Sequence, residues 1–186
     1  MRVINAQQTP AGTTGGTLTA RLRLLRPSTD DLIDAGFLFA LCALALAGFV
    51  TSFEGLRFGL VAVIGLLTGL VAAHVVHAFR WSWAVAAGLA GLAYFVLGGP
   101  LAVPHVALWG FVPTVASVGF LGQSLVTGCM EFLTTLAPVD GDGPFLALPL
   151  VLALLAAGLG HLVARRTRAS WPALLAPLCL WVLVIA

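Results

Sequence analysis

Long uncharged apolar runs, separated by short polar ones, set the pattern of this chain. No Asp, Glu, Lys or Arg occurs from Ala35 to Phe53, between Arg57 and Arg80, or between Asp142 and Arg165. Each run approaches the roughly 20 residues that carry an α-helix across the hydrocarbon core of a bilayer. The pattern therefore predicts an all-α, polytopic transmembrane helix bundle of about five spans, placed at about 35–53, 58–79, 83–99, 145–164 and 173–186 within a membrane domain of residues 28–186.

Local signals sharpen the ends. Residues 1–27 hold too few apolar side chains to repay the entropy of ordering, and they read as a disordered basic tail with Arg21, Arg23 and Arg26. Ser28 followed by Asp31 is the pattern of a capped helix start, with Asp30 and Asp31 on its positive end. Arg80, Trp81 and Trp83 mark a headgroup boundary, because basic and indole groups favour that layer. From Ala173 to Ala186 only fourteen residues remain, worth about 21 Å of helix against a core of about 30 Å, so the expectation is a truncated fifth span and a longer parent polypeptide.

Residues 101–138 decide the topology. The stretch from Leu101 to Leu121 is long enough to cross, yet Pro104 and Pro113 each remove a backbone donor. If it does not cross, the tail arginines, Arg80, Arg165, Arg166 and Arg168 share one side, and only Arg57 lies opposite. That is the positive-inside arrangement, with a cytoplasmic N-terminus and an extracytoplasmic re-entrant or amphipathic cap. Within the cap, Leu125, Cys129, Phe132 and Leu136, flanked by Val126 and Leu133, form an apolar stripe opposite Gln123, Thr127, Glu131, Thr134 and Thr135. Pro138 and the turn-rich stretch after it end this helix.

Composition narrows the function classes. The chain is 60% hydrophobic and 9% charged, whereas soluble domains carry about a quarter charged residues. Lysine is absent and every basic residue is Arg, a bias consistent with GC-rich coding in a bacterium. The formal net charge of +2, spread over segment ends, gives no footprint for nucleic acid. Residues 1–20 lack the ordered regions of a secretory signal, and no two of the three cysteines are placed to form a disulfide.

Few residues are candidates for chemistry. His74, His77 and His161 fall at one depth near the cytoplasmic ends of the second and fourth spans, where three imidazoles could hold a metal or haem or relay protons. No Cys, Asp or Glu joins them at ligand spacing, so histidines bonded to backbone or water are the simpler expectation, with no cofactor. Cys129, His105 and Asp140 assemble a thiol, base and orienter only on paper, because the apolar face on which Cys129 falls predicts an inert buried thiol. Glu131, Asp140 and Asp142 lack the closing Glu of a calcium loop, and no phosphate-cradling loop is present. Gly55 and Gly59, and Gly65 and Gly69, stand four residues apart, a spacing that lets helix backbones approach closely.

From about Phe37 onward, the order of features carries a resemblance. LRFGLVAVIGLLTGLVAA is followed by LGGPLAVP, the pair Pro113-Thr114, an outer helix ending in LAPVDG, and a span closing on ARRTRASWPALLAPL. This resembles the N-terminal membrane region of the actinobacterial TgpA-type transglutaminase-like family. The resemblance implies a helical anchor in the bacterial inner membrane that precedes an extracytoplasmic domain with a Cys-His-Asp triad. None of the triad positions maps onto this chain, so the segment itself is expected to be no enzyme. Its expected partners are the lipid bilayer, that downstream domain and other membrane proteins. The other readings are a small transporter or permease subunit, with broken helices at Pro100 to Pro113 lining a site, and a structural helical subunit of an envelope complex.

Overall fold

The computed structural model describes residues 27–53, 56–110, 112–132, 144–167 and 171–185, which form six α-helices. Helix α1 (Thr29–Ala47) opens on the predicted capping box: the Ser28 backbone N–H donates to Asp31 Oδ2 at 2.9 Å and the Asp31 N–H donates to Ser28 Oγ at 3.1 Å. The helix thus starts ahead of the uncharged run, because the cap lies upstream of Ala35. A 3₁₀ turn, Gly48–Ser52, prolongs it, and Phe53 then stacks on Phe58 with ring centroids 4.6 Å apart.

Helix α2 (Arg57–Ala78) ends in a Schellman turn. The Arg80 N–H donates to the His77 carbonyl and the Trp81 N–H to the Val76 carbonyl, each at 3.0 Å, which requires a left-handed residue between them. Arg80 supplies it at φ 53°, a conformation that glycine usually takes. Ser82 then caps α3 (Trp83–Ala102) by accepting from the Val85 N–H.

The Gly98-Gly99-Pro100 sequence predicts the end of that span, but α3 runs through it to Ala102. A residue before proline is pushed out of the helical region by the clash of the proline ring with its backbone N–H and its Cβ. Gly99 has no Cβ, so the helix survives the proline for its last turn. A turn follows, with Leu108 and Val112 exchanging backbone hydrogen bonds at 2.9 Å around Trp109 (φ 54°) and Gly110 (φ 81°).

Helix α4 (Val115–Phe132) joins the end of the ambiguous apolar stretch to the start of the predicted outer helix. Thr114 is its cap: Thr114 Oγ1 accepts from the Ser117 N–H at 3.1 Å, and Ser117 Oγ accepts from the Thr114 N–H at 2.8 Å. Pro113 precedes this box, so the stretch from Leu101 to Leu121 breaks there and no single helix crosses the bilayer through it. Residues 133–143, which hold the predicted end of the outer helix, lie outside the described residues. A 3₁₀ turn, Pro144–Leu146, leads into α5 (Ala147–Thr167), and another, Trp171–Leu174, into α6 (Leu175–Ile185).

Four helices are long and apolar enough to cross a membrane, over 29–50, 57–78, 83–102 and 147–167, and the shorter α6 returns along α5 with Ala176 against Gly160. The chain is a helical membrane bundle. Large apolar residues such as Phe37, Leu44, Val71 and Leu92 stay on its outer surface, as lipid contact requires. The axis of the bundle is the parallel pair α2 and α5. A Cβ built on Gly65 would meet Ala153 Cβ at 2.9 Å and the Leu150 carbonyl at 3.1 Å, and one on Gly69 would overlap the Leu154 carbonyl. Gly69 and Gly158 face each other across this seam. With lipid outside, such close backbone approach supplies dispersion that no hydrophobic force between helices would.

Candidate functional site

Polar groups at the ends of four helices converge at one end of the bundle. Arg165, in the last turn of α5, forms an ion pair with Asp31, in the first turn of α1. Its neighbour Arg166 donates to the Trp81 carbonyl after α2, and its guanidinium lies 4.5 Å from the centre of the Trp83 ring at the start of α3. These contacts place the start of α1, the end of α2, the start of α3 and the end of α5 at the same end. Zero or two crossings must therefore separate α3 from α5, which agrees with the α3–α4 connection failing to span. Arg80 belongs to this end and Arg57 starts α2 at the other. Arg21, Arg23, Arg26 and Arg168 lie outside the described residues.

One turn deeper, the structure brings two of the three candidate histidines together. His161 is 3% exposed, and the centre of its ring lies 6.3 Å from that of His74, the planes inclined at 47°. Its Nε2 is buried without a hydrogen-bond partner, an arrangement that costs about 1–3 kcal/mol. No backbone or side-chain group among the described residues meets this nitrogen. Asp31 meets Arg165 and Leu38 meets Gly160, so Asp34, between them on α1, stands level with His161 and acts on it electrostatically. His77 follows His74 by three residues on α2, toward the arginine end. Among the described residues no three His, Cys, Asp or Glu side chains are grouped to hold a metal ion.

At the opposite end, α4 packs on the outer half of α3. The Tyr94 hydroxyl donates to the Leu121 carbonyl at 3.2 Å, and Leu121, fully buried, sits where a Cβ on Gly98 would fall. The inward face is Ser117, Leu121, Ser124 and Gly128, whereas Val126 (65%) and Met130 (71%) point outward with Val115. Gln123 and Thr127 are exposed as the amphipathic reading has them, but so are Val126 and Cys129 of its apolar stripe, and the packed face lies between the two. Cys129 is exposed, which corrects the expectation of a buried thiol. His105 is also exposed and packs edge-on against Phe120 at 5.9 Å, nine residues or about 13 Å of helix from Cys129. The two do not form a catalytic pair, and Asp140 and Asp142 lie outside the described residues.

The glycines divide similarly. Gly65 and Gly69 form the α2–α5 seam, whereas a Cβ on Gly59 would meet nothing within 4 Å, and Gly55 lies outside the described residues. Six residues separate Gly59 from Gly65, which turns it about 120° away from the seam. No signal in the sequence marked the Asp31–Arg165 pair, the Arg166–Trp83 contact or the Tyr94 hydroxyl as structural. Comparison with known protein families, with curated proteins and with solved structures found no match for this chain.

Proposed function

We propose that the chain is a multi-pass membrane anchor whose arginine end faces the cytoplasm and whose opposite end serves as a platform for an extracytoplasmic transglutaminase-like domain of the same polypeptide. The observation that carries this reading is α4. Instead of a short turn, the chain between α3 and α5 includes the capped, docked helix α4 beside the outer half of α3, with Trp109 79% exposed on the turn before it. Such a shelf suits a surface that holds something close to the outer leaflet. The tight α2–α5 seam supports a rigid support over a moving carrier. The test is an immunoblot of native membranes treated with protease from outside. A polypeptide well above 19.2 kDa that is trimmed to a protected core is expected; an untrimmed native product of 19.2 kDa overturns the proposal.

One observation favours a second reading, a small permease subunit: the unpartnered Nε2 of His161 opposite His74, since intramembrane ionisable groups are functional candidates by default. Alanine at His74, His77 and His161 should then change proton or metal-ion flux in proteoliposomes. Unchanged flux removes this reading.

A further inference from the structure

A groove of about 380 Å³ opens between α2, α3 and α5 in the half of the bundle nearest the arginine end. Small residues form its walls, among them Gly69, Ala73, Ala86, Ala90 and Gly158, and Trp83 stands at its mouth. From Ala90 to Trp83 it runs about 10 Å along α3, a depth that starts at the headgroup layer and stops inside the hydrocarbon. Its volume falls within the roughly 300–1,000 Å³ of small-molecule sites, although its lining is almost wholly apolar.

The mouth differs in character from the walls. On α5, Leu162 lines the groove and Arg166 follows it by one turn on the same face; on α2, Val76 lines it and Arg80 follows by four residues. Neither arginine has a carboxylate partner among the described residues, and Asp31 is taken by Arg165. Arg166 is held in place by the Trp83 ring and the Trp81 carbonyl, yet a guanidinium carries five N–H donors and only one is used on that carbonyl. Arg80 stands at the turn in left-handed backbone, with its side chain exposed. One fixed cation and an indole thus stand over an apolar slot that opens at the depth of a phosphate layer, with a second, exposed cation on the adjacent turn.

We propose that this groove binds one anionic phospholipid of the leaflet at the arginine end, its acyl chain between α2, α3 and α5 and its phosphate on Arg166 and Arg80. Charge complementarity selects this occupant, since a basic pocket between helices recognises an acidic headgroup while the walls accept any saturated chain. Arg166 and Trp83 specify the headgroup, and the small residues of the walls leave room for the chain.

The experiment is native mass spectrometry of the full chain from mixed micelles holding equal amounts of phosphatidylglycerol and phosphatidylcholine with the same acyl chains. The expected result is one retained lipid, strongly enriched in phosphatidylglycerol. Arg166→Gln keeps a donor for the Trp81 carbonyl but removes the charge, and it should weaken phosphatidylglycerol binding roughly fivefold with phosphatidylcholine unchanged. Ala86→Phe fills the slot and should reduce retention of both lipids, with folding checked by circular dichroism. Equal retention of the two lipids by the parent protein overturns the proposal, as does an Arg166→Gln variant with the preference intact. Disulfide trapping of a second copy through Trp83→Cys, with no lipid retained, also overturns it.

Discussion

Gly69 and Gly98 are the same residue in the same lipid environment, each at a helix contact, yet their neighbours differ in kind. A Cβ at Gly69 would run into the Leu154 carbonyl and the Gly158 amide of α5, backbone that cannot yield without moving a helix. A Cβ at Gly98 would meet only the tip of the Leu121 side chain, at 2.8 Å, and a leucine can turn to another rotamer. The first contact sets the distance between two helices; the second sets only how one side chain lies. A glycine at a membrane helix interface is therefore best judged by what stands opposite it.

Four substitutions test this contrast. Gly69→Ala should destabilise the bundle by about 3 kcal/mol, the upper part of the usual overpacking range, measured by titration with a denaturing detergent. A loss below about 1 kcal/mol would mean that the α2–α5 seam is looser than it stands here. Leu121→Ala should cost about 2 kcal/mol, at the low end for a buried leucine because α4 can settle toward Gly98 and shrink the cavity. Its effect should be local, with a cysteine at Ser124 gaining reactivity while the α2–α5 pair holds. Gly98→Ala should cost about 1 kcal/mol, and it should cost less still in the Leu121→Ala background; strict additivity would show that the two residues do not share a contact. Gly59→Ala, into open space, should change stability by less than about 0.5 kcal/mol, and a larger loss would reveal a partner on that face.

Much of the bundle was legible from the chain, and what was not has identifiable causes. The uncharged runs located the spans, Ser28 and Asp31 gave the first cap, and the distribution of arginine gave the shared end, because each signal is local or set by the bilayer. The apolar stripe of α4 did not mark its packed face, because the rule that apolar residues point inward assumes water outside. With lipid outside, Ser117 and Ser124 pack inward through their small size, and Val126 and Met130 lose nothing by facing out. Pro113 and Thr114 were read as a break and part of a resemblance, while their role as the start of a helix depended on Ser117 three residues on. The end of α3 was placed early because Gly98, Gly99 and Pro100 were all read as helix breakers, whereas the glycine before the proline lets the helix continue to Ala102. The pairing of His161 with His74 required the depth of both helices together with their rotation, and span boundaries supply only the depth.

The parallel pairing of α2 with α5 has a consequence for biosynthesis. The partners of Gly65 begin at Leu150, some 85 residues further along the chain. At translation rates of about 5–20 residues per second, the glycine seam of α2 waits roughly 4–17 s after insertion before α5 emerges to fill it. During that interval the nascent hairpin of α2 and α3 must be shielded by lipid or by the insertion machinery. A ribosome stalled before Leu150 should therefore yield a hairpin that any passing small-residue helix can capture, and assembly should become correct only once the late helix arrives.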